Sequence, residues 1–208
     1  MNCIVTADGH EINVEHGLGI ITARAIAHSL GQINRYNGHA ARPYCVAEHS
    51  LLVVEIMQRE CAPVQLSAHA LFAGLMHDAH ESIASDMHSP GKAVIGAAWS
   101  NWESRFESMV RTAFSMHTAA TAYRDLVHKA DLIALATERR DLVPANDELS
   151  PWPVLAGVEP VTWVDLRDRS RASLTWQDWR DQFLAVFNQL EYSRNELLAR
   201  ARLQHGNQ

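Results

Sequence analysis

The chain has 208 residues, a length that fits one domain with a sizeable core. Its 24 acidic residues outnumber 18 basic ones for a net charge of −6, and no lysine- or arginine-rich run could track a phosphate backbone, which argues against long nucleic acids as partners. Cys3, Cys45 and Cys61 show no CxxC spacing, the amino terminus lacks a basic start and an apolar leader, and no stretch approaches membrane-span length, so a soluble, cytoplasmic protein is expected.

Residues 3–14 alternate weakly around Asp8-Gly9, a dipeptide suited to a tight turn, which predicts a small hairpin or an extended lead-in. Thr22 can cap a helix beginning at Ala23, with Ile26, Leu30 and Ile33 at helical spacing and a stop near Asn37-Gly38. Arg35 and Tyr36 stand just before that stop. Arginine can grip a phosphate bidentately and tyrosine can stack on a base or sugar; equally, a helix-end arginine suits the macrodipole beside a half-buried aromatic.

A second helix is predicted over residues 46–61, closed by Pro63, with His49 in its first turn. A third, over residues 64–83, carries Leu66, Ala70, Ala73, Leu75 and Met76 in its apolar part and brings His77 and Asp78 near its end. Glu81 then lies one turn further on the same side. Pro90 and Gly91 predict a non-helical segment after Asp86; Lys92 there reads as readily as a solvated surface charge. Over residues 93–116, Trp99, Trp102, Phe106, Met109, Val110 and Phe114 form one helical stripe that suits a core or a homo-oligomer contact. A helix over 119–142 sets Asp131 among Leu126, Val127, Ala130, Ile133 and Ala134, where an aspartate needs a partner. Residues 143–172 are rich in proline and tryptophan and read as a long loop; Thr175 caps a last helix over residues 173–204.

The chemistry centres on the adjacent pair His77-Asp78. A nitrogen beside a carboxylate oxygen holds a divalent metal only if other segments add ligands, and His49 and Asp131 are the candidates. Two nitrogens and two oxygens suit one ion of manganese, cobalt, iron or zinc, with magnesium also allowed. Four ligands leave coordination positions open, as a catalytic site requires. Taken singly, each of these residues also reads as a hydrogen-bonded structural group; the combination is the specific signal.

That ordered set resembles the HD-domain phosphohydrolase superfamily. The succession RY, EHS, HDxxE, DxxxPxK and KADxxALATE, over residues 20–142, is similar to the branch of bacterial 5′-deoxynucleotidases and small phage-type phosphohydrolases, deoxyadenosine triphosphohydrolases included. The resemblance implies an all-α HD-domain bundle with a catalytic core over residues 19–142 and His49, His77, Asp78 and Asp131 as ligands of one metal. It implies Glu81 and Asp86 as catalytic groups beside the attacked phosphorus and Arg35 as phosphate clamp. Tyr36 stands where deoxynucleotidases tend to have tryptophan, Lys92 would neutralise substrate charge, and His80 would stand behind the ligands. The implied reaction is hydrolysis of a nucleotide, either a deoxynucleoside monophosphate or a triphosphate. A non-catalytic nucleotide-sensing module with a structural metal is the alternative.

Overall fold

The computed structural model describes residues 2–60, 65–144 and 151–205, with side chains described through residue 200. Its architecture follows from one helix, α2 (Val46–Arg59), in which every residue from 46 to 54 is buried. A helix with no polar stripe must be surrounded. α2 accordingly packs against α1 (Ala23–Gln32), α3 (Ala68–Leu75), α8 (Arg124–Leu142) and α10 (Trp176–His205). Leu52, Val53, Ile56 and Met57 are fully buried there, each contributing roughly 1.5–3 kcal/mol by leaving water. The same surroundings withdraw Glu48 and His49 completely from solvent. The expected mainly α-helical fold is observed.

At the amino terminus the predicted hairpin gains a strand. β1 (Cys3–Val5), β2 (Glu11–Asn13) and β3 (Leu18–Gly19) form an antiparallel sheet in that order, with Cys3 opposite Asn13 and Ile12 opposite Gly19. Ile12 is its plug into the core. Thr22 caps α1 as expected, its hydroxyl accepting from the Ala25 amide at 3.0 Å. α1 ends at Gln32, and a 3-10 turn over Arg35–Gly38 follows. Within it Tyr36 (φ 58°) and Asn37 (φ 51°) adopt the left-handed region, a strain of about 1–3 kcal/mol for such residues that surrounding contacts must hold.

Besides the earlier end of α1, four predicted segments need correction. The helix expected over residues 64–83 is α3 followed by a turn and a short α4 (Glu81–Ala84), so His77 and Asp78 lie between helices. The ring of His77 takes the Gly74 carbonyl that a continuing helix would have used, at 2.8 Å, and the turn tightens through Ala79 N–H to Met76 O and Glu81 N–H to Asp78 O. Pro90 does not exclude a helix: α5 (Ser89–Ile95) holds it in the first turn, where its missing N–H costs nothing. Gly96 (φ 64°) separates α5 from α6 (Ala97–Ala113), dividing the span predicted over 93–116. The 119–142 helix is likewise α7 (His117–Ala122) followed by α8.

The Pro-rich segment is stitched to the end of α8. Arg140 donates to Val164 O at 2.7 Å, the Leu166 amide donates to Asp141 at 2.8 Å, and the Val161 amide donates to Thr137 at 3.1 Å. A short α9 (Arg169–Ala172) leads to α10, whose start is closed by reciprocal Thr175 and Asp178 bonds. Trp179, Phe183, Phe187 and Leu190 form its buried face, with Trp176 and Val186 half-buried beside them. Cys3 and Cys45 are free thiols, whereas Cys61 and the helix stop expected at Pro63 lie outside the described residues. Among the described residues no helix is long and apolar enough to cross a membrane.

Candidate metal centre

Three helical segments meet where α2, the α3–α4 turn and α8 face one another. His49 is delivered by the first turn of α2, His77 and Asp78 by the turn, and Asp131 by the middle of α8. The Nε2 atoms of His49 and His77 are 3.3 Å apart. Asp78 Oδ2 lies 3.4 Å from His49 Nε2 and 3.1 Å from His77 Nε2. Asp131 Oδ1 lies 3.2 Å and 4.0 Å from the same two nitrogens. Ligands bound to one ion at roughly 2.0–2.2 Å stand about 3–4 Å from one another, so this donor set can hold a divalent cation. His49, His77 and Asp78 thus form a mutual group within 4.8 Å, and Asp131, expected beside them from the sequence, stands against the two histidine nitrogens. Asp131 is not enclosed by the apolar residues around it: its side chain is 34% exposed and faces a cavity.

Both imidazoles are fixed from behind. His77 Nδ1 donates to the Gly74 carbonyl, and His49 Nδ1 donates to Glu138 Oε1 at 2.6 Å. With the proton on Nδ1, each Nε2 presents its lone pair to the centre, the arrangement of metal-ligating histidines. Burial and Arg35 oppose a positive charge on His49, yet Glu138 and Asp131 outweigh them and lift its pKa to about 9. Burial likewise opposes charge on His77, which Asp78 and Asp131 raise. Burial disfavours ionised Asp78, but His77, His49 and Arg35 hold its carboxyl well below the ordinary range. The carboxylates therefore draw positive charge onto the two rings. A divalent cation supplies the same charge and frees both lone pairs.

Glu138, the last residue of the KADxxALATE motif, carries no role in the sequence reading, yet it organises this shell. It is fully buried and accepts from His49, from the Tyr36 hydroxyl, from Tyr44 OH at 3.0 Å and from Arg35 Nε at 3.3 Å. Burial works against its charge, but Arg35, His49 and Tyr36 bring its pKa down to about 2. It follows Asp131 by seven residues, two turns of helix, which puts both on one face of α8. Arg35 also reaches Asp78, Nη1 to Oδ2 at 3.6 Å. The Tyr36 hydroxyl is thus engaged with Glu138, while its ring lies 6.3 Å from that of Trp152.

Beyond the ligands, a cavity of about 330 Å³ opens between the α3–α4 turn, α6 and α8, bordered by His77, Asp78, His80, Lys92, Glu103 and Asp131. Glu81 is 3% exposed beside it. Burial, together with Asp78 and Asp86, pushes its carboxyl well above the usual range. Burial raises Asp86 too, against the pull of Arg35. Ser85, in the left-handed region at φ 74°, turns the chain between these two carboxyls. Lys92 is not an unpaired surface charge: its ammonium donates to Glu103 at 2.6 Å, and His80 Nε2 stands 3.4 Å from the same oxygen. Glu103, on α6, carries no local sequence signal, because its partners lie on other segments.

Comparison with known proteins places relatives over the larger part of the chain. It is 35% identical over 138 residues to the uncharacterized protein YfdR of Escherichia coli, an alignment covering 66% of this chain and 69% of that one. It is 32% identical over 120 residues to an uncharacterized protein of Rhodobacter capsulatus, covering 56% of this chain and 60% of that relative's length. No family model matches the chain.

Proposed function

The chain belongs to the family of Escherichia coli YfdR, and from its site we propose that it is a metal-dependent hydrolase of nucleotide phosphates of the HD-domain type. Deoxynucleotides are the preferred substrates, cleaved either as monophosphates or by removal of triphosphate. The observation that supports this reading is the convergence of His49, His77, Asp78 and Asp131, with both Nε2 atoms directed inward, at the edge of a cavity. A mere structural polar cluster has no use for two inward imidazole nitrogens beside an open space.

His49, His77, Asp78 and Asp131 hold the cation; manganese, cobalt, iron or zinc suits them best. When bound it supplies Lewis acidity toward a phosphoryl oxygen and lowers the pKa of water. Arg35, anchored through Nε by Glu138, offers its remaining N–H groups to the phosphate. Lys92, aligned by Glu103, adds a second positive charge at the cavity wall against the charge of the transition state. Glu81, kept protonated by its surroundings, gives its proton to the leaving oxygen, and Asp86 orients the attacking water. Proton transfer of this kind contributes about two to four orders of magnitude in rate.

The test is product release from deoxy- and ribonucleotides with manganese, cobalt, magnesium or zinc, compared with Asp78→Ala and Glu81→Ala. Orthophosphate from monophosphates identifies a nucleotidase and inorganic triphosphate a triphosphohydrolase. Metal-dependent release that survives both substitutions would overturn the assignment of the site.

A further inference from the structure

A second group of potential ligands stands next to the first centre and is not used by it. His80, at the end of the α3–α4 turn, Glu81, the first residue of α4, and Glu103, on α6, offer one nitrogen and two carboxylates within 4.8 Å of one another. His80 is 5% exposed and Glu81 3%. Glu81 Oε2 is buried and, among the described residues, has no hydrogen-bond partner. A carboxyl oxygen so enclosed is costly unless something answers it. His80 and Glu103 border the cavity that also reaches His77, Asp78 and Asp131, so a cation from solvent has a path to both groups.

We propose that His80, Glu81 and Glu103 form a second, weaker site for a divalent transition-metal cation, and that its occupation withdraws Glu81 from proton transfer. The donor set, one imidazole and two carboxylates, selects manganese, iron, cobalt or zinc over calcium. The cation displaces the Glu81 proton to solvent, and the orphaned oxygen gains the partner it lacks. Glu103 already neutralises the Lys92 ammonium at 2.6 Å, and that neighbouring positive charge repels an incoming cation. The site therefore fills only after the His49–His77–Asp78–Asp131 centre. Activity should consequently rise with the first equivalent of metal and fall with the second. That consequence rests on the role of Glu81 proposed above; the binding itself does not, so a count of bound metal and a turnover assay can fail independently.

Equilibrium dialysis of the full chain against manganese(II), with metal counted by mass spectrometry, tests the site. Wild type should bind two equivalents, the second at least about tenfold more weakly. The double variant His80→Asn/Glu103→Gln should bind one, and His49→Ala should lose the tighter equivalent. Lys92→Met removes the competing ammonium and should tighten the second equivalent about tenfold or more, a gain that loss of fold cannot imitate. Saturation of wild type at one equivalent, two equivalents retained in the double variant, or a second equivalent unchanged or weakened by Lys92→Met would each overturn the proposal.

Discussion

Replacing Glu138 by glutamine keeps the shape of the side chain and removes its charge. In the native protein this carboxylate is fully buried with its pKa at about 2, so relative to an ordinary glutamate its surroundings favour the ionised form by about 3 kcal/mol. Glutamine forfeits that stabilisation and leaves Arg35 and His49 facing a neutral amide, a loss within the range for breaking a buried ion pair. The contribution is present above the unfolded glutamate pKa and disappears as the pH falls through about 2, so the deficit of the variant should be full at pH 7. The amide can also turn its N–H₂ toward His49 and reverse the tautomer, which points the lone pair away from the centre. Urea unfolding at pH 7 in chelator should show a loss of about 3 kcal/mol, and calorimetric titration with manganese should show affinity down by about 10- to 100-fold. Wild-type stability together with wild-type affinity in Glu138→Gln would refute the role given to this residue.

Glu81→Gln should bind the first metal equivalent as wild type does while turnover falls by about 10²- to 10⁴-fold; equal losses of binding and turnover would instead make Glu81 a ligand of the first centre. The raised pKa of His49, about 9, contributes stability that is fully present below the unfolded histidine value and is lost as pH rises through about 9. Metal-free protein should therefore melt at a lower temperature at pH 9.5 than at pH 6.5, and metal-loaded protein should not; parallel melting curves would contradict the charge balance of the centre. A Cβ at Gly74 would collide with Met57 Sδ, deep between α2 and α3. Gly74→Ala should cost about 1–3 kcal/mol and weaken metal binding by moving His77 away from His49, measured by thermal unfolding and titration.

The candidate ligands were legible in the sequence because each sits at a recognisable place in a helical pattern. His49 opens an apolar helix, His77-Asp78 closes another, and Asp131 interrupts a third. The helix boundaries around them were less legible. The break after Leu75 depends on the His77 ring capturing a carbonyl, a side-chain event that periodicity does not report. Pro90 beside Gly91 suggests a helix break, although in a first turn proline is a helix starter. Glu138 could have been found from its seven-residue spacing to Asp131. Glu103 could not, since its pairing with Lys92 and His80 exists only once α4, α5 and α6 have packed. Lys92 and Tyr36 show the same limit: which partner each side chain takes is decided by the tertiary arrangement.

Stepwise addition of manganese to chelator-stripped protein, with bound metal and nucleotide cleavage recorded together, tests metal-dependent hydrolysis most directly. Cleavage should be absent from the stripped protein and grow in proportion to the first equivalent bound. It should be abolished in Asp78→Ala. Cleavage undiminished by removal of metal, or a filled first centre that releases phosphate, pyrophosphate or triphosphate from no nucleotide, would contradict it.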